Sequence, residues 1–162
     1  MSSLTGEKLH AFLQGRYIAS LATENDDGSI HLAAVWYLFD SGAFFIATGS
    51  SSRKAKNVLA RPKASLMVDT RTSEPQKGVT AVCAVQIVRG EESHALNHRI
   101  HARYLSAVAL ADPIVATAFG SFDDITLRLT PQRWTTWDLA ELDAEALGGS
   151  FRRHPDYMLP PD

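Results

Sequence analysis

Residues 32–39 read "LAAVWYLF", eight apolar residues in a row with no polar position among them. Successive side chains of a strand point to opposite faces, so a strand with one wet face alternates apolar and polar residues. A strand without alternation must be covered on both faces. In a chain of 162 residues, this points to the wall of a small barrel whose outer side is also covered. A partner subunit is the economical cover.

Turn chemistry divides the rest of the chain. An amphipathic helix is expected over residues 5–13, with Leu9, Phe12 and Leu13 on one face. A strand over 16–24 leads through Asp26-Asp27-Gly28, a hairpin turn, into the strand over 29–40. Asp40-Ser41-Gly42 turns the chain into a third strand, 43–48. A helix over 52–60 ends at Arg61-Pro62, because a residue before proline leaves the α region. Strands follow over 63–70 and 79–91, separated by a polar loop, 71–78, placed to act as a rim or lid. Residues 92–111 read as a helix with Leu96, Ile100, Tyr104 and Leu105 inward, and 123–139 as two strands broken at Pro131. The tail over 140–162 is expected to lie on the surface or to cross to a partner. The sum is one α+β domain over 1–162, a barrel of six to seven mostly antiparallel strands with flanking helices, expected to be a homodimer.

Composition removes several function classes. With 45% hydrophobic and 21% charged residues, the chain is neither disordered nor membrane-spanning in character. A net charge of −2 argues against a general nucleic-acid binder. Cys83 is the only cysteine, which excludes an intrachain disulfide and a cysteine-based metal cluster. The first fifteen residues have no apolar signal-peptide core, so a cytoplasmic location is expected.

The segment "TGSSSRKAKNVLARP" over 48–62 carries the chemistry. Serine at a helix start caps free N–H groups. Arg53 and Lys54 in the first turn oppose the helix dipole, whose positive end lies there. Hydroxyls, free N–H groups and two cations at one helix start suit an anion, and a phosphate suits arginine's fork and lysine's point charge best. The segment is not a P-loop, since no glycine precedes the lysine at Walker spacing and no Ser or Thr follows it.

The same stretch, extended as "FFIATGSSSRKAKNVLARPKASLMVD", resembles the cofactor-binding segment of the pyridoxamine-phosphate-oxidase-like family of flavin-binding split barrels. "IASLAT" and "HLAAVWYLFD" before it are similar to that family as well. The resemblance implies a homodimeric flavoprotein with FMN at the subunit interface, transferring hydride to or from a small organic substrate. It implies that Ser52, Arg53 and Lys54 hold the cofactor phosphate, that Thr48 lies near the ring's polar edge or the ribityl chain, and that Ala34, Val35 and Trp36 run along the ring system. Asn57 belongs to the same motif and is carried with them. The deazaflavin F420 is the alternative cofactor, with Lys56, Arg61 and Lys63 as a basic track for its acidic tail; a non-catalytic flavin carrier and a haem-handling protein are the alternatives of another class. The oxidase proper has arginine at the position of Leu32, lysine at that of Tyr37 and glutamine at that of Val85, where this chain places Gln86 one residue later. These departures point away from pyridoxamine phosphate as substrate.

Other candidates have plainer readings beside them. His94, His98 and His101 share a helix face at a spacing compatible with zinc, but a polar exposed face accounts for them and no metal is expected. Trp134 and Trp137 are candidates to cover a flavin ring or to fill the core. Tyr104 and His31 are candidate proton donors or packing residues, and Cys83 reads as a small buried hydrophobe.

Overall fold

The computed structural model describes residues 4–71, 76–157 and 159. Seven strands form one sheet: β1 (Ala19–Glu24), β2 (Ile30–Val35), β3 (Leu38–Asp40), β4 (Ala43–Gly49), β5 (Lys63–Asp69), β6 (Lys77–Val88) and β7 (Asp124–Asp138). The order is β2-β1-β5-β6-β7-β4-β3, and every pairing is antiparallel. The two edge strands, β2 and β3, are consecutive in sequence with only Trp36 and Tyr37 between them. A sheet whose opposite edges are two residues apart must curl on itself. The result is a barrel left open along one seam, an α+β fold with helices packed outside.

The apolar run 32–39 is therefore two strands, not one. Its alternation nevertheless continues across the break: Val35, Tyr37 and Phe39 are buried in the barrel interior, while Trp36 and Leu38 pack outside with Phe45, Leu96 and Ile100. The outer cover over that half is α3 (Gly90–Tyr104), a helix of the same chain. The other half has no cover among the described residues: Ile30 is 63% and Leu32 66% exposed. Strand β4 shows the same double coverage, with Phe44 and Ile46 in the barrel and Ala43 and Phe45 beneath α3.

Helix α1 (Gly6–Leu13) plugs the barrel with Phe12 and Leu13, and α2 (Arg53–Ala60) lies between β4 and β5. The expected helix 92–111 is instead α3 and a separate α4 (Ala107–Ala111), since Leu105 leaves the helical region at φ −99°, ψ 144°. It is followed by α5 (Pro113–Ser121), which begins with Asp112 accepting from the N–H groups of Ile114 and Val115 and proline in the first turn. The expected break at Pro131 is also corrected. β7 runs unbroken past it because Gln132 bulges out between Pro131, opposite Cys83, and Arg133, opposite Val82. A bulge is where a strand can carry a residue that has no N–H to give.

In the tail, α6 (Leu139–Ala146) and α7 (Ser150–Arg153) are joined by buried Asp143, whose carboxylate accepts from the N–H groups of Phe151 and Arg152. Lys8 of α1 reaches Glu141 at 3.2 Å. Half of the expected lid loop 71–78, residues 72–75, lies outside the described residues, and Lys77 and Gly78 already belong to β6. No helix among the described residues is long and apolar enough to cross a membrane.

Candidate functional site

Helix α2 begins as its sequence demands. Ser52 is the N-cap, and its hydroxyl accepts from the N–H of Ala55 at 3.3 Å and lies 3.0 Å from the hydroxyl of Thr48. No hydrogen bond from the N–H groups of Arg53 or Lys54 is present among the described residues. The helix is held in place by Asn57, which is 3% exposed and donates to Thr23 Oγ1 at 3.1 Å and Asn25 Oδ1 at 2.8 Å. Arg61 adds bonds to the carbonyl of Glu24 and the carboxylate of Asp26. Asn57 thus orients α2 from below and does not line the site.

Lys54 opens onto a cleft of about 610 Å³, within the ~300–1,000 Å³ range of ligand sites. Ala34, Val35 and Trp36, Ala47 and Thr48, and Ile100, His101 and Phe119 line it, with Ile18, Phe122 and Asp124. The structure therefore brings together five of the eight residues singled out from sequence: Ala34, Val35, Trp36, Thr48 and Lys54. Ser52 stands behind Thr48. Arg53 points elsewhere, to a shallow depression with Asn25, Asp26 and Asp27. Hydrogen bonds from Ser29 hold the Asp27 carboxyl below its usual range, with Arg53 a lesser contributor.

Lys54 makes no ion pair among the described residues. Its charge is nonetheless felt by Asp124, at the start of β7, whose carboxyl burial pushes up and His101, then Lys54, pull back. Burial holds the His101 imidazole below its ordinary value, with Asp124 acting the other way. His101 meets Phe119 edge to face, ring centroids 4.4 Å apart.

Trp36 is fixed by a stack on Tyr104, centroids 4.9 Å apart and planes 5° from parallel. The Tyr104 hydroxyl donates to the carbonyl of Tyr17 at 2.7 Å and accepts from the N–H of Tyr37 at 3.2 Å. Arg103 lies over the Tyr37 ring and donates to the carbonyls of Leu13 and Gly15. Tyr104 is thus a brace for the seam between β2 and β3. Trp134 packs on Phe39 and Phe44 in the core, and Trp137 lies over Gly78; neither lines the cleft, nor does His31. Gln86 is exposed while Val85 faces the barrel interior. Among the described residues, no three His, Cys, Asp or Glu side chains are arranged to hold a metal ion.

The sequence singles out His101 only as a possible zinc ligand, and it does not mark Phe119, Phe122 or Asp124, which line the cleft with it. The Asp-Pro pair at 112–113 signals the helix that carries Phe119, but nothing in the sequence places that helix over α3.

A seam-split antiparallel barrel, with a lysine at a helix start facing a cleft, defines a split-barrel protein. The chain belongs to the pyridoxamine 5'-phosphate oxidase family, whose sequence pattern it matches over residues 5–138. Among curated proteins no sequence matches significantly. Among solved structures, a conserved hypothetical protein of Mycobacterium tuberculosis superimposes with a TM-score of 0.71 at 25% identity, covering 86% of this chain and 89% of that one. An F420 reductase gives 0.65 at 19% identity, covering 81% and 98%. HutZ, the haem storage protein of Vibrio cholerae, gives 0.64 at 18%, covering 85% and 95%. At their identities the last two likenesses speak for the fold alone.

Proposed function

We propose that the protein is a flavin-dependent oxidoreductase that binds FMN in the cleft beside Lys54 and acts on a small organic molecule. The observation that carries this reading is Lys54 itself: a cation with no ion pair among the described residues, beside two hydroxyls at a helix start, facing a cleft lined in part by Ala34, Val35 and Trp36. The donor set fits a phosphate monoester, and the cleft's apolar walls fit a ring system. Bound there, a flavin supplies two-electron hydride chemistry, for which the protein need only bind, orient and exclude water.

The residues divide that work. Lys54, the hydroxyls of Thr48 and Ser52 and the first-turn N–H groups hold the phosphate. Trp36, braced by Tyr104, supports the ring wall along Ala34 and Val35. His101 and Asp124, both lining the cleft, are the titratable pair able to hold or move a proton. Arg53 reaches the phosphate only by turning from the Asp26-Asp27 depression, so it ranks behind Lys54.

The reading includes a homodimer. Full burial of a side chain such as Ile or Leu stabilises by about 1.5–3 kcal/mol, and the exposed outer face of β2 presents Ile30 and Leu32 next to the cleft wall at Ala34. A partner there would cover both. It also includes a cytoplasmic location, where reduced cofactors are regenerated.

F420 is the second reading, the cofactor named for a neighbour that shares this fold. FMN stands first because the expected basic track is not on offer: Arg61 is engaged by Glu24 and Asp26, and neither Lys56 nor Lys63 lines the cleft. Calorimetric titration of the full chain with FMN, F420 and haem tests the choice. Saturable FMN binding stronger than that of the other two is expected; binding of haem alone, or of none, contradicts it.

A further inference from the structure

The β4–β7 register sets Asp124 opposite Gly49, the last residue before the turn into α2. Its carboxylate oxygen Oδ1 lies 3.9 Å from the point that a Cβ on Gly49 would occupy. That turn is tied to the start of β7. The N–H of Ser50 donates to the carbonyl of Asp123 at 2.8 Å, and the Ser50 hydroxyl donates to the Asp123 carboxylate. Two neighbouring carboxylates thus have different roles. Asp123 holds the turn, while the Asp124 side chain makes no hydrogen bond or ion pair among the described residues. Asp124 borders the cleft together with Lys54, and it also borders a second chamber, of about 310 Å³, under α5.

A carboxylate in that position matters to any phosphate held there. A phosphate monoester carries a charge of about −1.5 to −2 at neutral pH, and a like charge in the same cleft opposes it unless one of the two takes up a proton. The groups facing Asp124 are few. α2 presents Lys54, α3 presents His101 and, along the chamber, His94 and His98, and Asp123 precedes it in the chain. No residue that β4 or α5 contributes to either lining is ionisable near neutrality. Burial, the largest influence, pushes the Asp124 carboxyl up; His101 and Lys54 pull it back, and Asp123 acts with burial.

We propose that Asp124 completes the phosphate site as a protonated carboxyl, taking up one proton when the cofactor binds and donating its O–H to a phosphate oxygen. The proposal rests on the cofactor reading above and adds a residue to it. Ionised, Asp124 competes with the phosphate for Lys54. Protonated, it becomes one more donor beside the hydroxyls of Thr48 and Ser52. Solvent supplies the proton, and the only covalent bond formed is the O–H of the carboxyl. Phosphate binding is thereby linked to pH through this one side chain, and a ligand without a phosphate is not.

The test titrates the full chain with FMN and with riboflavin, by calorimetry, at pH 8 and at pH 5. It compares the parent with Asp124→Asn, whose amide keeps the shape, has no charge and donates at either pH. At pH 8 the variant is expected to bind FMN about tenfold more tightly than the parent, the scale of one like-charge contact near a protein surface. At pH 5, where the carboxyl of the complex takes up its proton, the gap should close to about twofold or less. The second ionisation of the FMN phosphate, at about pH 6, acts on both proteins alike and cancels from the ratio. Riboflavin should not distinguish them at either pH. The comparison is repeated in a His101→Gln background, where the gap and its closure should persist. Loss of the closure there assigns it to the imidazole and overturns the proposal. Equal FMN affinity at pH 8, a ratio independent of pH, or riboflavin following FMN overturns it as well. FMN bound with any of these results leaves the cofactor reading standing, whereas a parent that binds no FMN at either pH overturns both.

Discussion

Trp36 and Tyr104 lie ring on ring, 4.9 Å apart and 5° from parallel, at the seam where the barrel stays open. The pair joins the only two residues between the edge strands to the end of α3. The Tyr104 hydroxyl bonds to the carbonyl of Tyr17 and the N–H of Tyr37, both part-buried. Tyr104→Phe keeps the stack and orphans both groups. It should cost about 1–3 kcal/mol, the penalty for an unmet buried polar group. Urea unfolding of the variant and parent measures it, and equal midpoints would show that the seam does not need the bond.

A Cβ at Gly78 would come within 2.3 Å of the Trp137 ring, where that ring lies across the β6–β7 pairing. Gly78→Ala should destabilise by about 1–3 kcal/mol, as overpacking does. Gly78→Ala combined with Trp137→Leu should recover part of the loss. A double variant no more stable than Gly78→Ala would mean the contact is not the cause.

Two groups at the cleft titrate in opposite senses. The folded state holds His101 below its usual 6.5, so the unfolded chain takes up a proton more readily as pH falls through that value. Stability from this group is present above pH 6.5 and is lost on acidification. Asp124 is held above 3.8, so its contribution is present below that pH and is lost as pH rises through the folded pKa. His101→Gln should flatten the loss of melting temperature between neutral pH and mildly acidic pH, and Asp124→Asn should raise the melting temperature near neutrality. Parallel pH profiles for His101→Gln and parent would contradict the first, and a lowered neutral melting temperature the second.

Burial alone pushes the Cys83 thiol up to about 12. The thiolate is the reactive form, so iodoacetamide should leave the native protein unlabelled at pH 8 and label it fully in urea. Rapid labelling of the folded chain would show that β6 opens locally.

Much of this architecture is legible in the sequence, and the exceptions have physical reasons. The capped helix start at Ser52 and the turns at Asp26 and Asp40 are local chemistry, visible without a fold. The break between Val35 and Leu38 is not, because an apolar run has no punctuation and the interruption is imposed by barrel closure. Pro131 reads as a strand end because the bulge that accommodates it depends on its pairing with Cys83 across the sheet. Arg53 and Lys54 are equal in sequence, yet a helix turns neighbouring side chains apart, and only Lys54 faces the cleft. The chamber under α5 is legible least of all, since it exists only through long-range packing.

The outer face of β2 makes its own demand. Leu32→Glu places a charge where the dimer would bury a leucine that is 66% exposed in the single chain. The variant should keep its fold and sediment as a monomer, while the parent sediments as a dimer at low micromolar concentration. A monomeric parent, or a variant that stays dimeric, contradicts β2 as the interface.

The account's central claim is that Lys54 holds a cofactor phosphate, and paired titrations of FMN and riboflavin against the parent and Lys54→Ala test it most directly. Lys54 opposes the dipole of α2, so its removal should leave apo stability unchanged or higher by about a few tenths of a kcal/mol. FMN binding should weaken by about 1.5–3 kcal/mol, roughly ten- to a hundredfold, as for a lost charged hydrogen bond. Riboflavin, which has no phosphate, should bind weakly to both proteins and equally. FMN bound as tightly by Lys54→Ala as by the parent would contradict the claim and leave the lysine a solvated helix end.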